Sequence, residues 1–396
     1  LMPSLIYFAA AAIVPFIAAP RLRALFMLAV PIAGFASFAT MAYGTYYFLP
    51  FFDFNLRIFR LDGLSFIFAL IFSIAAFISL AFAWHIRDRL EQVSSLVYAG
   101  AAIGAVFAGD LITLFVFWEG TAIASALLIW ARRTPGAIAT TMRYFTLQIT
   151  SGLLLFVGIV LFYRDTGSIA FRHMELDSVG TWLIFLAFGI KCAFPLMHNW
   201  LQDAYPAATP TGTVTLSAFT TKLAIYALAR GFAGTEFLIY IGAAMSLFPV
   251  FFAAIENNLR RVLAYSLNNQ LGFMVVGIGI GTPLALDGTV AHAFVHVIYK
   301  ALLFMSVGAV IYRTGTAKVS DLGGLWKSMP WTMAFCIVGS LSISAFPLFS
   351  GFVAKSLILS ATASAGHIWV WMVVERSRKR RSPCSWSWVL PPRSAC

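Results

Sequence analysis

Residues 188–230 read FGIKCAFPLMHNWLQDAYPAATPTGTVTLSAFTTKLAIYALAR. The stretch is apolar enough for a membrane interior, yet it carries Lys191, His198 and Lys222 and is interrupted by Pro195, Pro206 and Pro210. A lysine at the centre of a span costs about 2.5–3.5 kcal/mol on insertion scales, so it needs a partner or water and marks a functional site by default. A proline one turn later frees backbone carbonyls that only a cavity or neighbouring helices can satisfy. A lysine beside a broken helix, twice in succession, describes an ion path. The plainer alternative is that these lysines snorkel from helix ends to the interface.

The rest of the chain agrees with a membrane setting. It is 61% hydrophobic and 11% charged, with mean hydropathy +0.87; soluble domains carry about 25% charged residues. The net charge of +12 is explained by basic loops on one membrane face and implies no nucleic-acid partner. Cys192, Cys336, Cys384 and Cys396 form no CxxC and no metal spacing, which argues against an iron–sulfur cluster or structural zinc. No glycine fingerprint follows a strand, and no nucleotide site or cofactor is expected.

A span needs about 20 apolar residues. On that basis about twelve transmembrane helices are expected, at roughly 3–19, 24–49, 62–84, 95–109, 110–131, 139–163, 181–203, 207–231, 235–255, 259–281, 284–312 and 329–361. The expected fold class is an all-α polytopic membrane protein. With the N-terminus outside, the inner loops hold Arg21, Arg23, Arg87, Arg89, Arg132, Arg133, Arg143, Arg260, Arg261, Arg313, Lys318 and Lys327. The outer loops then hold only Arg57, Arg60, Arg164, Arg172 and Arg230, a positive-inside bias. The tail departs from this pattern. HIWVWMVV, from His367, is too short to cross about 30 Å of hydrocarbon, and ERSRKRRSPCSWSWVLPPRSAC follows it. A truncation or frame error near residue 375 is expected, with the later residues poorly ordered or packed without a core and an apolar surface left beside the eleventh and twelfth spans.

Ala193-Phe194-Pro195-Leu196 recurs as Ala345-Phe346-Pro347-Leu348. Both copies break a long apolar helix, and an odd number of spans separates them. Two inverted repeats with broken helices near the midplane follow from that reading. The expected division is 1–94 for the N-terminal spans, 95–231 for a first five-helix repeat, 235–375 for an incomplete second repeat, and 376–396 for an aberrant basic tail.

Within the spans, Glu119 in LFVFWEGTAIASALL is the one carboxylate expected deep in the membrane, with Lys191 as its partner. A buried lysine holds its proton while a carboxylate faces it and releases it when the carboxylate withdraws. His292, His296 and Lys300 in AHAFVHVIYKALLF lie on one helical face. Histidine passes protons through its two ring nitrogens; zinc is the rival, but no third ligand is placed to complete a site. Lys355 lies beyond the break at Pro347 and either ends the line of groups or snorkels. His198 is a supporting residue, and no metal is expected.

Taken in order, FWEG, GIKCAFPLMHNWLQDAYPAATPTG, RRVLAYSLNNQLGFM, HAFVHVIYKALLF, LGGLWKSMP and FPLFSGFVAKSLIL resemble the proton-conducting membrane transporter family. That family holds the antiporter-like subunits of respiratory NADH–quinone oxidoreductase and of Mrp-type Na⁺/H⁺ antiporters, and the resemblance is greatest to the D-type Mrp component. It implies a fold of fourteen helices with two inverted five-helix units, of which the last two spans are missing here. It also implies that Glu119, Lys191, Lys222, His292, His296, Lys300 and Lys355 are the translocation residues. Antiport of Na⁺ or another monovalent cation against H⁺, within an assembly of other membrane subunits, is the expected function. The competing readings are a pump module driven by a redox partner, a translocase without its own redox site, and a non-transporting scaffold. A bacterial inner membrane is the expected location.

Overall fold

Polar caps decide where the apolar runs of this chain begin to coil. The first N–H groups of a helix lack intrahelical partners, and in a bilayer no water replaces them. Here the side chains of Asp62, Asp88, Asp110, Thr134, Ser178, Thr209, Asn258 and Thr282 each accept a hydrogen bond from the first turn they precede.

The computed structural model describes residues 2–379. In chain order it runs α1 (Pro3–Ile13), α2 (Pro20–Ala39), β1 (Gly44–Phe51), β2 (Phe54–Leu61), α3 (Gly63–Phe82), α4 (Arg89–Phe107), α5 (Leu111–Trp130), α6 (Pro135–Thr166), α7 (Val179–Cys192), α8 (Asn199–Ala207), α9 (Pro210–Ala218), α10 (Thr220–Gly231), α11 (Glu236–Ile255), α12 (Leu259–Ile280), α13 (Pro283–Thr314), α14 (Leu325–Ser328), α15 (Pro330–Ile343), α16 (Ser350–Ser364) and α17 (Ile368–Lys379). Among the described residues 7 helices are long and apolar enough to cross a membrane. The chain is thus a mostly helical, multi-pass membrane protein.

One expectation changes. The run expected to be one span over 24–49 is a helix only to Ala39, after which Gly44–Phe51 pairs antiparallel with Phe54–Leu61. Aromatic side chains suit a pleated surface, and Leu56, Phe59 and Leu61 are buried while Arg57 points out; unbroken hydropathy concealed this pattern. The hairpin is tied down by its backbone: the Arg57 N–H donates to Asp110 Oδ2 (2.6 Å) and its carbonyl accepts from Gly109 (2.9 Å). Ahead of the expected tail the chain keeps to a core. The short run from His367 continues as α17, and Val370 and Val374 pack with Ile239, Phe273, Val276, Ile358 and Leu359. Apolar spacing of four carries that helix into a core as far as Val374. The rest of the expected tail, from residue 380 on, lies outside the described residues.

The chain forms two compact units, one of residues 1–193 and 207–232, the other of residues 194–206 and the chain from Ala233. Their internal geometry recurs. α6 and α13 are each 32 residues, each led by a Thr-Pro and closed by a left-handed glycine, Gly167 and Gly315. They lie 283 − 135 = 148 positions apart. The same spacing relates the backbone bridge of Asp110 with Ala170 to that of Asn258 with Lys318. It also relates the bond from the Leu111 N–H to the Ile169 carbonyl to the bond from the Leu259 N–H to the Ala317 carbonyl, both 2.9 Å.

The helix breaks recur as well. After Ala193 the Phe194 carbonyl accepts from the Met197 N–H at 2.9 Å, and after Ala345 the Phe346 carbonyl accepts from the Phe349 N–H at 3.2 Å. In each turn a proline is second and a leucine third, with φ of 69° at Leu196 and 76° at Leu348. This is type II geometry, whose third position favours glycine. Leucine there costs about 1–2 kcal/mol, and Leu196 and Leu348 are 93% and 99% exposed, so packing does not account for the choice.

At the unit-one surface Arg230 Nη2 meets Asp62 Oδ1 at 2.8 Å. Burial pushes the Asp62 carboxyl up, but the Arg230 bond and charge, the Ser65 N–H and Arg60 outweigh it and hold it below the usual carboxylate range. A depressed folded-state value gives stability that is present at neutral pH and lost as pH falls through that value. Thermal melts of the purified protein should show an acid loss that Asp62→Asn removes; the same acid loss in that variant would refute the assignment. At the breaks, Leu196→Gly should raise thermal stability by about 1 kcal/mol and Leu196→Val should lower it. The opposite order would show that the left-handed leucine is not strained.

Candidate functional site

In the first unit Lys191 is the penultimate residue of α7 and is wholly buried. Its Nζ donates to the Trp118 carbonyl (2.6 Å) and to Thr121 Oγ1 (2.9 Å), both on α5, and stands 4.4 Å from the Trp118 ring centroid. Lys222 is also wholly buried. It follows the break between α9 and α10, and its Nζ donates to the freed Ser217 carbonyl (2.6 Å) and to Thr221 Oγ1 (3.2 Å). On the other side of that break the Thr220 N–H donates to the Tyr98 hydroxyl (3.0 Å), which also bonds the Thr220 hydroxyl. Tyr98, on α4, therefore stands in for a helical carbonyl. Neither ammonium meets a carboxylate in an ion pair among the described residues.

Glu119 is Lys191's charged neighbour without touching it. It is half-buried, and its Oε1 is enclosed with no hydrogen-bond partner among the described residues. Room for that oxygen comes from Gly152 on α6, where a Cβ would lie 1.5 Å from it. Glu119 lies mid-way along α5, while two carboxylates at helix starts are more enclosed than it is. Glu91, one turn into α4, is 4% exposed and accepts from the Thr211 hydroxyl at the start of α9; Asp110 is 1% exposed as the cap of α5. Glu91 lies just before the apolar run, so hydropathy does not place it inside.

In the second unit His292, His296 and Lys300 share one buried face of α13. His292 Nε2 lies 3.1 Å from Gln270 Oε1 on α12 and 3.2 Å from the Tyr299 hydroxyl, which itself donates to Gln270 (3.2 Å). Gln270 Nε2 donates to Asn269, whose amide reaches the Ser246 carbonyl. The His292 and His296 rings are 6.1 Å apart and nearly perpendicular, and Lys300 Nζ is 5.5 Å from the Phe304 ring. Lys355, on α16, donates to the Ile343 carbonyl at the end of α15 (2.5 Å) and lies over Phe273. His198 is half-buried, edge-on to Phe248 at 5.6 Å.

The snorkelling alternative fails. Lys191, Lys222 and Lys300 are 0% exposed and Lys355 is 1% exposed, and a snorkelling head would reach solvent. Pro195 and Pro347 do sit at helix breaks. Sequence reasoning missed Tyr98, Gln270 and Glu91; the NNQ run inside an apolar helix was the one available signal.

A family model described as "NADH:quinone oxidoreductase/Mrp antiporter, TM" matches residues 108–378. The chain belongs to this family. The resemblance read from its motifs is thereby borne out. The A/B component of a probable K(+)/H(+) antiporter of Rhizobium meliloti is 33% identical over 331 residues, covering 76% of this chain and 32% of its own. The D component of the Na(+)/H(+) antiporter of Alkalihalophilus pseudofirmus is 32% identical over 286 residues, covering 67% of this chain and 58% of its own. The chain therefore spans well under two thirds of these curated relatives. Among solved structures, a chain of the Mrp complex from a Dietzia species matches at TM-score 0.85 and 25% identity, over 100% of this chain and 80% of that one. A chain of the membrane-bound sulfane sulfur reductase, an archaeal respiratory membrane complex, matches at TM-score 0.85 and 24% identity, over 100% of this chain and 89% of that one, a likeness of fold alone.

Gly152 gives a direct test of the Glu119 geometry. Gly152→Ala should displace the carboxylate and reduce transport by the assembled protein about as far as Glu119→Gln does, tenfold or more on the scale of a lost proton-transfer group, roughly 10²–10⁴. Parent-level transport by the alanine variant at equal expression would show that the glycine does not hold a working carboxylate in place.

Proposed function

We propose that this chain is a membrane subunit that translocates protons, by antiport of H⁺ against a monovalent cation, Na⁺ in the first instance. Glu119, Lys191 and Lys222 are the working groups of the first unit, and His292, His296, Lys300 and Lys355 those of the second. The observation that carries this reading is the bonding of Lys191 and Lys222, both wholly buried, to neutral oxygens. A buried ammonium held by a carboxylate is locked by charge; one held by carbonyls and hydroxyls can lose its proton without stranding an anion. Glu119, near Lys191 but not on it, supplies the charge whose movement alters that balance.

The recurrence at 148 positions and the twin proline turns support two copies of one inverted unit, roughly 95–231 and 235–375, within a chain of about twelve transmembrane segments. The basic inner loops support an N-terminus outside a bacterial inner membrane. The multisubunit assemblies that hold its structural neighbours support other membrane proteins as partners. A redox-driven pump module of a complex-I-like assembly is the second reading, favoured by the two-part description of the family itself.

The test is ΔpH-driven Na⁺ or K⁺ exchange in vesicles from an antiporter-deficient host carrying the full-length gene with its partner genes. Lys191→Ala and Lys222→Ala should each lower exchange tenfold or more, within the roughly 10²–10⁴ expected for a proton-transfer group. No exchange by the parent without an added electron donor would favour the redox-driven reading. Parent-level exchange in both lysine variants would reject the assigned residues.

A further inference from the structure

The recurrence at 148 positions sets α6 beside α13 residue by residue. Tyr144 takes the place of His292, Gln148 that of His296, Ser151 that of Tyr299, and Gly152 that of Lys300. Thr141 and Thr289, also equivalent, make the same bond to the carbonyl four residues back, that of Ala137 and Ala285. The face that carries two imidazoles and an ammonium in the second unit thus carries a phenol, an amide and a glycine in the first.

That face is not idle. Trp118 Nε1 donates to Ser151 Oγ (3.1 Å), and the Tyr144 hydroxyl donates to Ser125 Oγ (2.8 Å). The two bonds fix an antiparallel register between α5 and α6 in which Gln148 lies level with Thr121. Thr121 Oγ1 is where Lys191 places its ammonium. Gln148 is 0% exposed, and neither Nε2 nor Oε1 has a hydrogen-bond partner among the described residues. A fully buried amide with both ends unpaired costs several kcal/mol unless water meets it. One turn along α6, the Tyr144 hydroxyl also faces the Thr220 side chain, whose hydroxyl meets Tyr98. The adjoining Thr221 hydroxyl accepts from Lys222.

We propose that Gln148 is a positioning residue for proton transfer, holding water between the Lys191 ammonium and a hydroxyl relay of Tyr144 and Thr220 that leads to Lys222. The amide Oε1 accepts one hydrogen of the water and Nε2 donates to its oxygen, so the water is oriented without the amide changing its own protonation. A proton leaving Lys191 enters the water, the water passes one to the Tyr144 oxygen, Tyr144 passes its own to Thr220, Thr220 to the adjoining Thr221 hydroxyl, and Thr221 gives its proton to a neutral Lys222 amine, 3.2 Å away, which becomes the ammonium. No charge remains on the relay after a transfer. The first unit thus does with neutral groups what the second unit's face is equipped to do with histidine, and Gly152 leaves the Lys300 position open to the Glu119 carboxylate.

This inference rests on the antiport reading above. Its test uses the full-length chain with its partner proteins in the same vesicles, with assembly measured on native gels. Gln148→Leu, of similar size but unable to bind water, should cut the maximal exchange rate tenfold or more and leave the half-saturating cation concentration within twofold. Tyr144→Phe should do the same. Gln148→His should recover most of the Gln148→Leu loss and add a pH dependence centred near the ordinary imidazole value of about 6.5. Gln148→Leu at the parent rate and full assembly, with Lys191→Ala inactive, would overturn the role of Gln148 and leave the antiport reading standing. A loss confined to assembly, or a Gln148→His profile identical to the parent's, would also overturn it. A parent without exchange would defeat the antiport reading and this inference together.

Discussion

A buried ammonium bonded to a backbone carbonyl at an interrupted helix is the interaction on which the rest of this molecule depends. Lys222 reaches the Ser217 carbonyl and Lys355 the Ile343 carbonyl. Each of those oxygens is without its helical partner because the helix stops there, and each sits at the negative end of a short helix. Neither half of the pair is tolerable alone in hydrocarbon. An unpaired carbonyl costs several kcal/mol, and an unpaired ammonium costs more. Together they are satisfied while the nitrogen remains free to lose a proton, which a carboxylate partner would oppose. Interruption of the helices is therefore what lets lysines be buried with their hydrogen bonds met, not a defect tolerated around them.

The polar surroundings follow from the same requirement. Around Lys191 and Lys222 stand Thr121, Thr220, Thr221 and Tyr98, all neutral, and the hydroxyls of Thr121 and Thr221 accept directly from ammonium groups. Around His292 stand Gln270 and Tyr299. The contact from Gln270 Oε1 favours a proton on Nε2 of His292 and so orients the ring. Carboxylates are kept at a distance: Glu91 is held by Thr211 at the mouth of α9, and Glu119 is seated against Gly152.

Charged residues in apolar runs and prolines in long helices are legible one residue at a time, because each violates the chemistry of its surroundings. Glu119, Lys191, Lys222, His292, His296, Lys300 and Lys355 stand out that way, as do the breaks at Pro195 and Pro347. What sequence reading misses is neutral or ambiguous. Tyr98, Gln148 and Gln270 are ordinary in an amphipathic helix, and only their burial or their partners far along the chain give them meaning. The strand Gly44–Phe51 is hidden because its apolar residues follow α2 with no charged residue between them, so the run 24–49 reads as one span. Glu91 stands just outside the apolar run in the sequence, yet inside the protein. The repeat itself is visible only as four matching residues, since the longer correspondence between α6 and α13 lies in caps and bridges and not in side-chain identity.

That correspondence sets positions of α6 against positions of α13 that differ in charge while their caps and lengths agree. At the position of Lys300 the first unit has Gly152, and the removed side chain leaves the volume in which the Glu119 oxygen sits. A residue larger than glycine there would exclude the carboxylate, and a carboxylate at the equivalent of Glu119 in the second unit, where Leu267 stands, would face Lys300 across the same gap. Such a pair would fix the Lys300 proton by direct charge pairing. The second unit has Leu267 instead, buried and apolar, and its Lys300 ammonium stands 5.5 Å from the Phe304 ring. The exchange of glycine for lysine on one helix and of glutamate for leucine on the next is thus one coupled choice: where the first unit opens a space on α6 that a carboxylate enters, the second fills the same position of α13 with an ammonium and sets an apolar side chain at the carboxylate's place.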